Sequence, residues 1–162
     1  MNLVSCATFS KSNLPEISLN EVKDLAYGKI TRNELEKKFG PPSSEYNFDQ
    51  DFIALNYSRK SNGTVYQRAS FNIDKKGNKV ISVLWFPNSS DKVITTEEFK
   101  KMFLTSSFLK LKIKQNYSHE FVDDYELTDD LSGVSAEINS KNMSVNNISL
   151  FVPREKRTPA NM

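Results

Sequence analysis

Gly28-Lys29-Ile30-Thr31-Arg32-Asn33-Glu34-Leu35-Glu36-Lys37-Lys38-Phe39-Gly40-Pro41-Pro42 encodes a short helix together with both of its ends. Thr31 is the N-cap and Glu34 stands three residues on, the spacing of a capping box in which each side chain satisfies an open backbone N–H. Ile30 before the cap and Leu35 after it have the spacing of a hydrophobic staple. Leu35 and Phe39 are four apart and share one face. Gly40 stops the helix, and Pro41-Pro42 cannot continue it. The helix therefore buries one narrow apolar stripe and hands the chain to an extended segment.

Upstream, Ser18 to Tyr27 repeats this logic. Ser18 caps, Glu21 closes the box, Ile17 staples to Val22, and Gly28 ends the helix. Leu19, Val22, Leu25 and Ala26 form its apolar face. Downstream, Pro41 to Asp51 reads as a linker, and then the period changes to two. Phe52–Ser58, Thr64–Ile73 and Lys79–Phe86 read as three strands joined by turns at Asn62-Gly63 and Asp74–Asn78, an antiparallel meander. In the third strand Val80, Leu84 and Phe86 oppose Ile81, Val83 and Trp85. With both faces apolar, that strand is expected at the centre or covered on both sides. Thr95 and Glu98 form a third capping box, with Ile94 and Phe99 a third staple, for a helix running to about Leu104. Phe108–Lys114, Phe121–Leu127, Val134–Asn139 and Met143–Val152 read as further strands, and a basic tail follows from Pro153.

The chain has 162 residues, 38% of them hydrophobic, with a net charge of +2. It is long enough for a real core, and its charge is too small to argue for nucleic acid by itself. No apolar run is long enough to span a bilayer as a helix. A lone Cys excludes an internal disulfide framework.

The motif Gly-x-Ile-Thr-x-x-Glu-Leu-x-x-x-Phe-Gly-x-Pro over Gly28–Pro42 resembles the helix-and-turn signature of the SmpA/OmlA family. These are small outer-membrane lipoproteins of the β-barrel assembly machinery. The resemblance covers roughly Ser18 to Phe86 and implies two short helices followed by a three-stranded antiparallel sheet. Phe71-Asn72 and Gly77 fall where that family's second strand and turn place them. The β-lactamase inhibitor protein has a related layout, doubled into two tandem units. Leu3-Val4-Ser5-Cys6 looks like a lipobox, in which the Cys is lipidated and becomes the mature N-terminus. Only Met1 and Asn2 precede it here, so lipidation of Cys6 requires a basic and apolar leader upstream.

The expected fold is α+β and two-layered, with short helices on one face of an antiparallel β-sheet and a tandem duplication as its finer form. The expected divisions are a tether over 1–16, an SmpA/OmlA-like unit over 17–88, a second helix-plus-strands unit over 89–152 and a mobile tail over 153–162.

Chemistry is sparse. His119 is the only His and Cys6 the only thiol, too few for a catalytic dyad or a structural zinc site. Asp123, Asp124, Glu126, Asp129 and Asp130 lack EF-hand spacing and read as a solvated acidic loop. Lys110, Lys112 and Lys114 form a stripe that guards an edge strand or meets phosphate. Tyr57, Tyr66, Arg68 and Trp85 are candidates for an exposed patch on the sheet. No catalytic residue, metal or cofactor is expected.

The expected function is a non-enzymatic envelope protein that docks a protein partner, anchored at the outer membrane through Cys6. A chain starting at Met1 would instead be cytoplasmic. An inhibitor or immunity-type protein binding one enzyme through a concave sheet is the alternative. A binder of nucleic acid or anionic lipid through the lysine stripe is the third.

Overall fold

The computed structural model describes residues 17–25, 27–61, 64–87, 93–103, 109–115 and 123–156. In chain order the elements are α1 (Leu19–Lys23), α2 (Arg32–Phe39), β1 (Ser44–Asn47), β2 (Phe52–Ser61), β3 (Thr64–Asp74), β4 (Lys79–Phe86), α3 (Thr96–Phe103), β5 (Leu109–Gln115), β6 (Asp123–Asp129), β7 (Val134–Ile138) and β8 (Val145–Phe151). A 3-10 turn, Arg154–Lys156, follows. The fold is α+β.

All three capping boxes form. The Thr31 N–H donates to Glu34 at 2.8 Å while the Glu34 N–H donates to the Thr31 hydroxyl at 3.3 Å. Ser18 with Glu21 and Thr95 with Glu98 do the same. α1 is shorter than expected and stops at Lys23. The chain after it is drawn onto the sheet: the Gly28 N–H donates to the Val80 carbonyl at 2.7 Å, and the Val80 N–H to the Ile30 carbonyl at 2.9 Å. These bonds tie the turn over 27–30 to β4.

The strands form one sheet in the order β1-β2-β3-β4-β8-β7-β6-β5, with every neighbouring pair antiparallel. Two meanders meet in the middle, where β4 pairs with β8. The segment expected to be a linker contains β1, an edge strand whose four residues are all exposed. Alternation in sequence records burial of one face, so a fully exposed edge strand leaves no such trace.

β4 corrects the expected phase. Its pairing with β3 shifts between Asn72 and Ile73, so that Ser82 faces Asn72 while Val80 faces Ile73. Ile81 is the extra residue of this bulge. Val80 therefore shares a face with Val83 and Trp85, all three buried, and not with Leu84 and Phe86.

Corresponding contacts occur in the two halves of the chain. Ile30, Thr31 and Arg32 dock on β4 as Ile94, Thr95 and Thr96 dock on β8. The Val80 N–H donates to Ile30 O and the Val145 N–H to Ile94 O. The Arg32 N–H donates to Asn78 O and the Thr96 N–H to Met143 O. Single bridges join Thr31 to Lys79 and Thr95 to Ser144. A second bulge, at Asn146, sits in β8 where Ile81 sits in β4. At one constant separation along the chain Ile73, Val80, Val83 and Trp85 match Ile138, Val145, Ile148 and Leu150, all of them buried. Across the β4–β8 seam Leu84 faces Ser149, while Val83 faces Leu150 and Trp85 faces Ile148. The matched positions exchange partners about the Leu84–Ser149 pair.

The helices bury Leu19, Val22, Leu35, Phe39 and Phe99 in one cluster with Leu55, Tyr57, Phe71, Val83, Trp85, Ile138 and Ile148 from both halves of the sheet. In the first half Phe39 stacks on Phe71 with ring centroids 5.9 Å apart, and Tyr57 meets Phe71 edge-on at 5.5 Å.

Candidate functional site

The opposite face of the sheet is made of the alternate residues. Pairing sets Asn56, Ser70, Leu84, Ser149, Ser135 and Thr128 in one row across the strands. Directly paired residues of antiparallel strands present their side chains on the same face. The row is hydrogen-bonded where its side chains reach: Ser70 donates to Asn56 at 2.8 Å, and in the next row Asn72 donates to Ser82 at 2.9 Å. Leu84, Phe86 and Phe151 are half-buried here and stand apart from the core cluster. Phe86 and Phe151 stand at the same chain separation as the other matched positions. They flank Leu84 to give the centre of this face an apolar character, surrounded by hydroxyls and amides.

β1 adds an aromatic edge. Tyr46 pairs with Ala54 and so projects from the Asn56 face. Its ring meets Phe48 edge-on, with centroids 5.1 Å apart. Tyr46 and Phe48 are 59% and 61% exposed, among the most exposed large apolar side chains described. Glu45, between Ser44 and Tyr46, faces the helices instead. Arg32 of α2 donates to both of its carboxylate oxygens and, at 2.6 Å, to Glu36 of its own helix. This clamp fixes β1 and with it the direction in which Tyr46 projects.

The residues singled out from sequence separate in the structure. Tyr57 and Trp85, expected at an exposed patch, are buried at 1% and 4% exposure. The Tyr57 hydroxyl donates to the Gly40 carbonyl at 3.2 Å, and the Trp85 indole N–H to the Ile17 carbonyl at 2.9 Å. Both are large rings with a polar tip, and burial of the ring outweighs exposure once the tip has a partner. Tyr66 and Arg68 lie in β3, and Lys110, Lys112 and Lys114 in β5; their side chains lie outside the described residues. So do Cys6 and His119 altogether. Within the acidic segment, the Asp129 carboxylate is used locally, accepting from the N–H groups of Leu131 and Ser132 and from the Ser132 hydroxyl.

Three shifted groups among the described residues have structural causes. Burial pushes the Tyr27 phenol up, and its hydroxyl donates to the Val22 carbonyl. Hydrogen bonds to Glu45 and then Glu36 raise Arg32. The Thr31 backbone N–H, and after it the Thr31 hydroxyl, hold the Glu34 carboxyl below its ordinary range.

No family model and no curated protein matches the chain. Solved structures give weak likenesses. One is a DUF4309 family protein (YjgB) from Bacillus subtilis, 15% identical, covering 80% of this chain and 82% of that one, TM-score 0.49. A second is an extracellular protein containing a SCP domain from Bacillus anthracis, 13% identical, covering 88% of this chain and 49% of that one, TM-score 0.48. A third is a cysteine-rich secretory protein (SAV1118) from Staphylococcus aureus, 12% identical, covering 88% of this chain and 46% of that one, TM-score 0.46. The chain spans about half the length of the latter two. None is an SmpA/OmlA protein, and at these scores and identities the likenesses carry no argument about function.

Proposed function

We propose that this chain is a non-enzymatic protein-binding module of the bacterial envelope, built by tandem duplication of a helix-plus-meander unit, with the sheet face opposite the described helices as its docking surface. The observation that carries the reading is the second face itself. It has an apolar centre at Leu84, Phe86 and Phe151, a surround of Ser and Asn, and an exposed aromatic pair at one edge. An apolar centre within a polar rim is the make-up of a protein interface, and aromatic residues are its commonest anchors. Eight strands spaced by roughly 4.8 Å make a face roughly 34 Å across, the scale of an interface burying about 800 Å² per partner.

The duplication is supported by the matched helix-docking hydrogen bonds and matched bulges, and by the shared Ile-Thr-x-x-Glu at Ile30–Glu34 and Ile94–Glu98. The SmpA/OmlA resemblance of the first half supports placement in the envelope, with Cys6 as the lipid anchor at the outer membrane. The doubled layout also favours a second reading, an inhibitor that holds one enzyme on the same face.

Photo-crosslinking from position 84, in the cells that make the protein, tests the docking surface. The same probe at Glu97, exposed on α3, is the reference. One discrete adduct from position 84 and none from 97 is expected. Equal labelling from both positions, or none from either, overturns the reading. Identification of the adduct as an assembly component or as an enzyme decides between the two forms of it.

A further inference from the structure

A second feature lies on the helical side. Ser132, Gly133, Val134 and Leu150 of the second half face Leu25, Tyr27 and the end of α3 across a cleft of about 390 Å³. That volume is within the range of small-ligand sites. The repeat explains why it exists. In the first half Trp85 is covered by Ile17 at the start of α1, bound through the indole N–H. The position matching Trp85 is Leu150, and no described helix of the second half corresponds to α1. Leu150, itself buried, lines the cleft, whereas Trp85 is bonded to the segment that leads into α1.

The lining combines two chemistries. Tyr27, Met102, Phe103, Val134 and Leu150 give an apolar floor. Lys23, Lys29 and Lys156 stand around it, all three exposed, and no Asp or Glu is among the described lining residues. The Lys23 ammonium is held at the mouth. It donates to the Met102 carbonyl at 2.8 Å and lies over the Phe103 ring at 5.5 Å. The Tyr27 hydroxyl is engaged with the Val22 carbonyl, and burial keeps the phenol protonated, so it adds no negative charge.

We propose that this cleft binds a small anionic amphiphile, with its acid group against the lysines and its aromatic or alkyl body on the apolar floor. Charge complementarity selects the acid, because three lysines line the cleft and no carboxylate is among its described lining residues. The floor selects an apolar body and excludes a bare inorganic anion, which would leave the rings and aliphatic chains unsatisfied by contact. Phe151 lines the cleft as well as contributing to the docking face, but the lysines of the cleft are not part of that face, so each proposal stands or falls alone.

Two fluorescent probes of similar body test it on the folded chain: 1-anilinonaphthalene-8-sulfonate, which carries an acid group, and N-phenyl-1-naphthylamine, which does not. The sulfonate is expected to bind saturably at one site per chain. Lys29→Gln with Lys156→Gln should weaken it roughly tenfold or more, the scale of losing two convergent charges at a partly desolvated site. The neutral probe should change less than about twofold in that variant. Met102→Trp, at a half-buried lining residue, fills the cleft and should abolish both. Near-UV circular dichroism establishes that each variant is folded, and a variant that fails to fold is replaced by Lys29→Gln alone. Sulfonate binding indifferent to the lysines, equal loss of both probes in the lysine variant, or no saturable site overturns the proposal.

Discussion

Asn78 and Met143 hold the same position in the two halves. Each has left-handed backbone, with φ of 50° and 54°, and each gives its carbonyl to the first N–H of a helix, Asn78 to Arg32 and Met143 to Thr96. Both belong to the turn that brings the last strand of a meander back beneath its helix, and the left-handed residue aims the carbonyl.

Valine at either position should destabilise the fold by about 1–2 kcal/mol, because a β-branched side chain clashes with left-handed backbone. Glycine at either should stay within about 0.5 kcal/mol of the parent, since relief of strain offsets its looser unfolded chain. Urea unfolding of the four variants reads this directly. Valine as well tolerated as glycine would mean that the turns are not held left-handed.

The caps of α2 and α3 are matched and well separated in the chain. Thr31→Ala and Thr95→Ala should each cost about 1 kcal/mol. Their effects should add in the double variant to within about 0.5 kcal/mol, as for independent sites. A double variant much worse than the sum would show that the halves are coupled through their helices.

Glu34 supplies a pH test. Its carboxyl is held below its ordinary range by hydrogen bonds from the Thr31 N–H and then the Thr31 hydroxyl. A depressed carboxylate contributes stability that is present above its unfolded pKa and lost as pH falls through the folded one. Thr31–Glu34 coupling, measured by double-mutant cycle with Glu34→Gln and Thr31→Ala, should therefore be present at pH 7 and fade as acidification protonates the Glu34 carboxylate. Coupling that persists unchanged in acid contradicts the assignment.

Gly133 and Gly77 differ in what a side chain would meet. At Gly133 φ is +70° and an added Cβ would stand 2.2 Å from the Phe151 carbonyl oxygen, a backbone atom. At Gly77 the nearest atom, at 2.7 Å, is a side-chain oxygen of Asp74. Gly133→Ala should cost roughly 2–4 kcal/mol, adding strand displacement to left-handed strain. Gly77→Ala should cost no more than about 1–2 kcal/mol, chiefly the hydrogen bonds that Asp74 gives the turn. Thermal unfolding should rank them in that order.

The proposed envelope anchor is read from the mass of the mature N-terminus, with the protein expressed from its own locus and upstream DNA. A diacylated or triacylated Cys6 is expected. An unmodified chain beginning at Met1 would remove the anchor from the proposal.

Local chemistry made much of this protein legible in its sequence. Three capping boxes, their staples and the turn at Asp74–Asn78 are contacts between residues three to five apart, so their spacing is their signature. The meander of β2, β3 and β4 was equally readable, because half-buried strands alternate. Tertiary structure alone decided the rest. The exposed strand β1 and its Tyr46–Phe48 pair left no periodic trace, and the bulge at Ile81 reversed the phase of β4 without altering its composition. Burial of Tyr57 and Trp85 depended on partners distant in sequence, Gly40 and Ile17. The Ile-Thr-x-x-Glu repeat was present in the sequence. What gives it weight is the seam of β4 on β8, a contact between halves that no local pattern encodes, because pairing across a sheet depends on register and not on neighbouring residues.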